Sequence, residues 1–249
     1  MQWQAAEQML PFLGFLEAGQ RVQLREMAKA FLSEKQFYGA RGLKITDQMM
    51  LVTSLQACLP VFRLGLAYYR NWLGIILYPG AYVAQRSERD ANGLVHESRA
   101  TMLGEAWPQG PVVLAWDEQL LHRGSFVAIH EFSHKLDMAN GPANGSPPLP
   151  ANMAASEWKN IFSAAYVDLK LRIQHHEPII VDAYAGKNPA EFFAVTAETF
   201  FSHSMLLKQH YPDLYTQFSL LFGLDPTAGV PLPQPAYPSG LSNGNGIYA

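Results

Sequence analysis

His130-Glu131-Phe132-Ser133-His134 is the stretch that decides how this chain is read. Two histidines four residues apart lie on one side of a helix, one turn from each other. Each can offer a ring nitrogen to a shared ion, which for zinc sits about 2.0–2.1 Å from its nitrogen ligands. The glutamate between them falls beside that ion, where it can take a proton from a water held there. The geometry requires a helix, and the flanking residues supply one. Val127, Ile129, Phe132 and Leu136 recur at helical apolar spacing, Ser125 is a suitable N-cap, and Asn140-Gly141 is a suitable stop. A helix of about four turns is expected.

This His-Glu-x-x-His arrangement is the one used by zinc-dependent peptidases. The competing reading, a helix with two unrelated histidines, is disfavoured by what surrounds the motif. Pro111 to Trp116 form a β-rich run just ahead of it. A strand followed by the active-site helix is the order expected of zincin folds, where an edge strand can pair with an extended substrate.

Farther out, residues 17–37 read as an amphipathic helix, with Val22, Leu24, Met27, Ala28, Phe31 and Leu32 between charged positions. Thr46-Asp47 caps a second, nearly all-apolar helix. Ile75 to Pro79 is a strand candidate with a turn behind it, and Gly93 to Ala100 is a weaker one. A loop over 140–152 precedes a helix from Ser156 to Ile173. Asn188 is the N-cap of a further helix with Pro189 at its first position, and residues 210–222 are helical. From Asp225 the chain is rich in Pro, Gly, Asn and Ser and reads as a mobile tail. The expectation is an α+β fold: a mostly helical frame, a small mixed sheet and a central active-site helix. Residues 1–224 would form one domain, with a helical part over about 1–70 and a catalytic core over about 71–224, followed by the tail at 225–249.

Composition narrows the function classes. The chain has 249 residues, of which 49% are hydrophobic, enough to fill a core. Charged residues make up 16% and the net charge is −3, so no basic face for nucleic acid is implied. The single cysteine, Cys58, rules out an internal disulfide framework and suits a reducing cytoplasm. Met1 to Glu7 lack the basic start of a signal peptide. The apolar run from Gln48 to Phe62 is too short and too polar to span a bilayer. A cytoplasmic protein with no membrane role is expected.

Catalytic zinc usually has three protein ligands and one open position, so a third ligand is needed. The metzincin pattern would place Gly and His at the positions held here by Asp137 and Asn140, which excludes that class. Glu157, in the next helical stretch, fits a thermolysin-like arrangement. Asp182, before Ala183-Tyr184, is faintly like an aspzincin ligand. Glu191 follows its N-cap by three residues, where its carboxylate could equally close a capping box. Glu198 shares the face of Glu191, and two carboxylates on an otherwise aromatic helix need partners if buried. Residue patterns alone leave these alternatives open.

Several separate stretches resemble the Mlc titration factor A family, in the same order. They are His130 to Asp137, Asp182-Ala183-Tyr184-Ala185, Pro189-Ala190-Glu191-Phe192-Phe193-Ala194-Val195 and Glu198-Thr199-Phe200-Phe201. Weaker matches lie at Cys58-Leu59-Pro60-Val61, Ile76-Leu77-Tyr78-Pro79, Gly93-Leu94-Val95-His96 and Gln109 to Leu114. The likeness covers roughly residues 10–225, with departures at both ends. It implies a cytosolic bacterial zinc metallopeptidase with aminopeptidase-like activity and a core similar to that of anthrax lethal factor. It also implies binding to the glucose repressor Mlc, and hence a part in regulating sugar-uptake genes.

Carried onto this sequence, the resemblance implies one zinc ion per chain, held by His130, His134 and Glu191. Glu131 would be the general base and Tyr184 the donor to the developing oxyanion. Asp137 could orient a ligand histidine or cap a neighbouring loop. The His175-His176 pair reads as ordinary surface. The rival to a peptidase is a zincin-like module that sequesters a transcription regulator, with weak or vestigial hydrolysis. The presence of Glu131 favours chemistry.

Overall fold

The structure is a computed structural model and describes residues 2–89 and 95–228. The chain opens with helices α1 (Gln2–Gln8) and α2 (Ala18–Glu34). A capping box starts α2: the Glu17 amide donates to Gln20 Oε1 at 3.0 Å, and Glu17 answers with its own side chain. Leu24, Ala28 and Phe31 form its buried stripe. The helix stops at Glu34, three residues short of the sequence expectation. Lys35 turns extended and sends its ammonium inward, donating to the carbonyls of Tyr69 and Trp72. Gln36–Gly39 then form strand β1, because Phe37 and Tyr38 are better placed on a pleated edge than on another helical turn. Helix α3 (Asp47–Cys58) begins where expected, with Thr46 Oγ1 accepting from the Met49 amide at 3.3 Å. Its residues from Leu51 to Cys58 are all buried, as its apolar composition requires.

Five more strands follow: β2 (Gly74–Tyr78), β3 (Tyr82–Arg89), β4 (Val95–Met102), β5 (Gly104–Ala106) and β6 (Val112–Ala115). One sheet has the order β1-β2-β6-β5, and β3 pairs with β4 in a separate two-stranded ribbon. The first three strands of the sheet are parallel, in a register that sets Ile76 beside both Tyr38 and Val113. The last, β5, runs antiparallel to β6, with Glu105 opposite Val113. The β-rich run before the motif is therefore an interior strand, flanked on both sides. The edges are β1 and β5, and the one beside β6 is β5, whose three residues carry too little pattern to be seen in the sequence. The weaker strand expected over Gly93 to Ala100 is β4, shifted toward Met102; Gly93 and Leu94 lie outside the described residues.

The C-terminal half is helical: α4 (Glu118–His122), α5 (Val127–Asp137), α6 (Ala155–Gln174), α7 (Pro189–Ser202), α8 (Ser204–His210) and α9 (Pro212–Phe222). The stretch expected as one helix from 210 breaks at Tyr211, where Pro212 starts α9. The end of α9 is Gly223 in the left-handed conformation, φ 67°, a role that suits glycine. Buried aromatic rings lock these helices together. Trp158 of α6, Phe193 and Phe200 of α7, and Phe218 and Phe222 of α9 pack edge-on, tilted or stacked with centroids 5.4–6.1 Å apart. Each such ring contributes roughly 1.5–3 kcal/mol by burial. A single hydrophobic cluster runs from Ala6 to Leu224 and joins this half to α1–α3 and the sheet. No helix among the described residues is long and apolar enough to cross a membrane.

Candidate metal centre

Helix α5 is buried along its whole length, which is why the sequence stretch around the histidines is so apolar. It has 11 residues, about three turns rather than the four expected, and continues as a 3-10 turn over Met138–Asn140 that ends at Gly141. It packs on β5 and β6 on one side and on α7 on the other. Ser125 is not its cap. Phe126 occupies the N-cap position, and its amide donates to Glu198 Oε1 of α7 at 2.7 Å. A side chain from another helix thus replaces the local cap, an arrangement that residue order alone cannot reveal. Tyr69 donates its hydroxyl proton to the Phe132 carbonyl at 3.0 Å, and Lys135 reaches the carbonyls of Trp107 and Gly110. These contacts fix the helix against α3's end of the core and against the turn that joins β5 to β6.

The two histidines face the same side of α5, with their Nε2 atoms 3.1 Å apart. Glu191 comes to them from the first turn of α7. Asn188 caps that helix as expected, its Oδ1 accepting from the Glu191 amide at 2.9 Å. The Glu191 carboxylate does not complete a capping box. Its Oε2 lies 3.1 Å from His134 Nε2 and 3.3 Å from His130 Nε2. Four ligands placed tetrahedrally at 2.0–2.1 Å around zinc would be about 3.3–3.4 Å apart. The triangle of two imidazole nitrogens and a carboxylate oxygen matches that spacing. Among the described residues this trio is the one cluster arranged to share an ion. Glu157 lies elsewhere, on the exposed start of α6, where Gln217 donates to it at 3.3 Å. Asp182 caps the 3-10 turn Ala183–Gly186, accepting from the Tyr184 amide at 2.8 Å.

The trio forms one wall of a cleft of about 200 Å³. The opposite wall is β5 together with Met102 and Leu103. Glu131 is only 3% exposed and lies against the β5 backbone. A methyl group on Gly104 would fall 2.4 Å from Glu131 Oε1, so glycine is what permits this approach. Burial pushes the Glu131 carboxyl up to about 8; His134 acts against this, and the nearby charges of Glu191, Glu105 and Glu198 act with it. Burial also draws the His130 ring down to about 4, against the raising effect of Glu191. For Glu191 burial acts upward, but its hydrogen bonds to the two histidines outweigh that and hold it far below the usual range. Negative groups therefore converge on two imidazoles, of which burial keeps His130 neutral while Glu191 and Glu131 raise His134 against its burial. A divalent cation is the partner that relieves this.

Tyr184 reaches the cleft from the turn before α7. Its hydroxyl donates to Glu191 Oε1 at 3.2 Å and accepts from Lys187 Nζ at 3.1 Å. Asp137 is fully buried and takes the loop role: its carboxylate accepts from the amides of Asn144, Gly145 and Ser146 at 2.8–2.9 Å. His175 and His176 are exposed, as expected. Sequence reasoning missed Gly104, Glu105, Lys135 and Lys187. Only Lys135, directly after the motif, carried a signal, since a lysine on the buried side of a helix needs acceptors.

Comparison with known proteins agrees with this arrangement. A protein from Serratia proteamaculans named Mlc titration factor A is 37% identical over 233 residues, spanning 91% of this chain and 88% of its own length. A Klebsiella pneumoniae protein of the same name is 33% identical over 234 residues, with 92% and 88% covered. A Synechocystis protein without an assigned activity is 34% identical over 231 residues, with 90% and 84% covered. The family match begins at the first residue, ahead of the start near residue 10 expected from the sequence. Residues 1–223 match the glucose-regulated metallo-peptidase M90 family, and the chain belongs to that family, alongside the Mlc titration factors A.

Proposed function

We propose that this chain is a cytoplasmic, zinc-dependent peptidase of aminopeptidase-like type, which also binds an Mlc-type transcriptional repressor. The observation that carries the catalytic half is the convergence of His130, His134 and Glu191 with the Glu131 carboxylate beside them in one cleft. The three would hold zinc, which when bound polarises the scissile carbonyl and acidifies the attacking water. Glu131 accepts the proton of that water and passes it to the leaving amine. A carboxyl that burial raises is well suited to both halves of this transfer. The Tyr184 hydroxyl, fixed between Glu191 and Lys187, donates a hydrogen bond to the oxygen that gains charge. Strand β5 is at a sheet edge and its residues line the cleft, which suits it to offer main-chain groups to an extended peptide.

The repressor half rests on the relatives' name and on charge. With a net charge of −3, control of transcription passes through a protein partner rather than through DNA. Protein purified without added metal should carry one zinc per chain and cleave members of a peptide library. Glu131→Gln is nearly isosteric but takes no proton; it should keep the zinc and lose at least about 10²-fold in hydrolysis. It should also still capture an Mlc-type repressor, which separates the two activities. Unchanged turnover in Glu131→Gln would sink the peptidase mechanism.

A further inference from the structure

Glu198 lies on the same face of α7 as Glu191, two turns farther along. It is 8% exposed in a helix otherwise lined with phenylalanines, and a carboxylate buried there needs a defined use. One use is visible. Its Oε1 accepts from the Phe126 amide at 2.7 Å and closes the N-terminus of α5. Its other oxygen, Oε2, lies 4.0 Å from His130 Nδ1. The opposite nitrogen of the same ring, Nε2, lies 3.3 Å from Glu191 Oε2. The His130 imidazole is thus gripped lengthwise between two carboxylates of one helix.

We propose that Glu198 is a positioning residue for the metal site: it accepts the Nδ1 proton of His130 and so presents the Nε2 lone pair to the ion. The inference rests on the zinc reading above. Its physical basis is that imidazole carries one proton in its neutral form, so an acceptor at Nδ1 fixes which nitrogen is free. At 4.0 Å the contact is an ion-pair separation beyond hydrogen-bonding distance, so the proposal requires the carboxylate and the ring to close by at least about 0.5 Å while the bond to Phe126 is kept. Catalytic contacts of this kind tighten when the site is loaded. A second consequence follows from the bridge to Phe126. Glu198 ties the start of α5 to α7, so the helix that carries both histidines is registered on the helix that carries the third ligand.

Glu198→Gln separates the two uses. Its amide oxygen still accepts from Phe126, while its amide nitrogen cannot accept from His130. Zinc affinity, read by competition with a chromophoric chelator, should fall about 10–100-fold. The melting temperature of the metal-free variant should stay at the wild-type value, whereas Glu198→Ala should lower both. In zinc-loaded wild-type protein carrying ¹⁵N-histidine, the His130 Nδ1 proton should exchange slowly with solvent, and this measurement stands even if the variants do not fold. Zinc affinity of Glu198→Gln within about twofold of wild type, or a fast-exchanging Nδ1 proton in wild type, overturns the proposal and leaves Glu198 a helix cap. Wild-type protein that binds no stoichiometric zinc fails the underlying site reading instead, and that result is distinct from either.

Discussion

Tyr184 touches two charged groups with one oxygen, and its role depends on which contact dominates. If the hydroxyl serves the reaction, Tyr184→Phe should leave zinc content unchanged and lower kcat by the equivalent of about 2.7–4 kcal/mol, the scale of a single oxyanion donor. If it serves only to hold Glu191, at 3.2 Å, the same variant should instead lose zinc affinity with normal turnover of the loaded fraction. Parallel chelator competition and steady-state kinetics distinguish the two, and normal kcat in fully loaded protein would refute the oxyanion role. At this scale the sequence was most legible where chemistry and helix geometry coincide. His130, Glu131 and His134 are placed by spacing alone, because one turn of helix fixes their directions. Glu191 is ambiguous in the sequence, since the position that makes it a candidate third ligand is also the position of a capping-box residue. The structure shows the backbone amide used for the cap and the carboxylate turned to the histidines. Asp137 was equally ambiguous, and three backbone amides claim it.

The short strand β5 does more for the cleft than its length suggests. Gly104 is the contact point: a methyl group there would lie 2.4 Å from Glu131 Oε1 and 2.6 Å from its Cγ. Gly104→Ala should therefore keep the fold, because alanine is at least as good as glycine within a strand, and push Glu131 off its position. A displacement of about 1 Å at a reacting group can cost about 10²-fold. The expected outcome is a kcat lower by up to that factor with zinc content near wild type, and a melting temperature lowered by the overpacking, about 1–3 kcal/mol. Wild-type turnover would show that Glu131 does not need the β5 backbone. Elements of this kind were the hardest to read. The long helices announce themselves: α3 by its Thr46 cap and apolar run, α6 by its length and spacing, and α7 by Asn188 and Pro189. By contrast β5 has three residues, and β1 follows a helical pattern without a break, so the amphipathic signal of α2 runs over it. What ends α2 is Lys35, whose ammonium is held by two carbonyls from a distant turn. The interior place of β6 was likewise hidden, because an edge and a centre strand of four apolar residues look alike until their neighbours are known.

At the scale of the whole molecule, the boundary drawn at residue 224 can be tested, because the last described residues make contacts of their own. The proposal that residues 1–224 fold as one unit is supported by the continuous core from Ala6 to Leu224. The tail, however, is tied down for a few residues beyond it. The Tyr215 hydroxyl donates to Asp225, the Thr227 amide donates to Asp225 Oδ1 at 3.0 Å, and Lys208 donates to Thr227 at 2.9 Å. Residues 229–249, where the rest of the expected mobile tail falls, lie outside the described residues. Two truncations separate the parts. Ending the chain after Ala228 keeps these bonds, so melting temperature, zinc content and peptide hydrolysis should all match the full-length protein within about twofold in rate. Ending it after Leu224 leaves the Tyr215 hydroxyl without its carboxylate, at a cost of about 1–2 kcal/mol for the lost hydrogen bonds. That should lower the melting temperature while zinc content and hydrolysis in the folded protein stay unchanged, since none of these residues lines the cleft. A pull-down with an Mlc-type repressor should capture both truncated forms as well as the full chain. Loss of repressor capture already in the Ala228 form would move the partner surface into the tail. Loss of hydrolysis in that form would mean that residues past 228 reach the metal centre, and the single-unit boundary would be wrong.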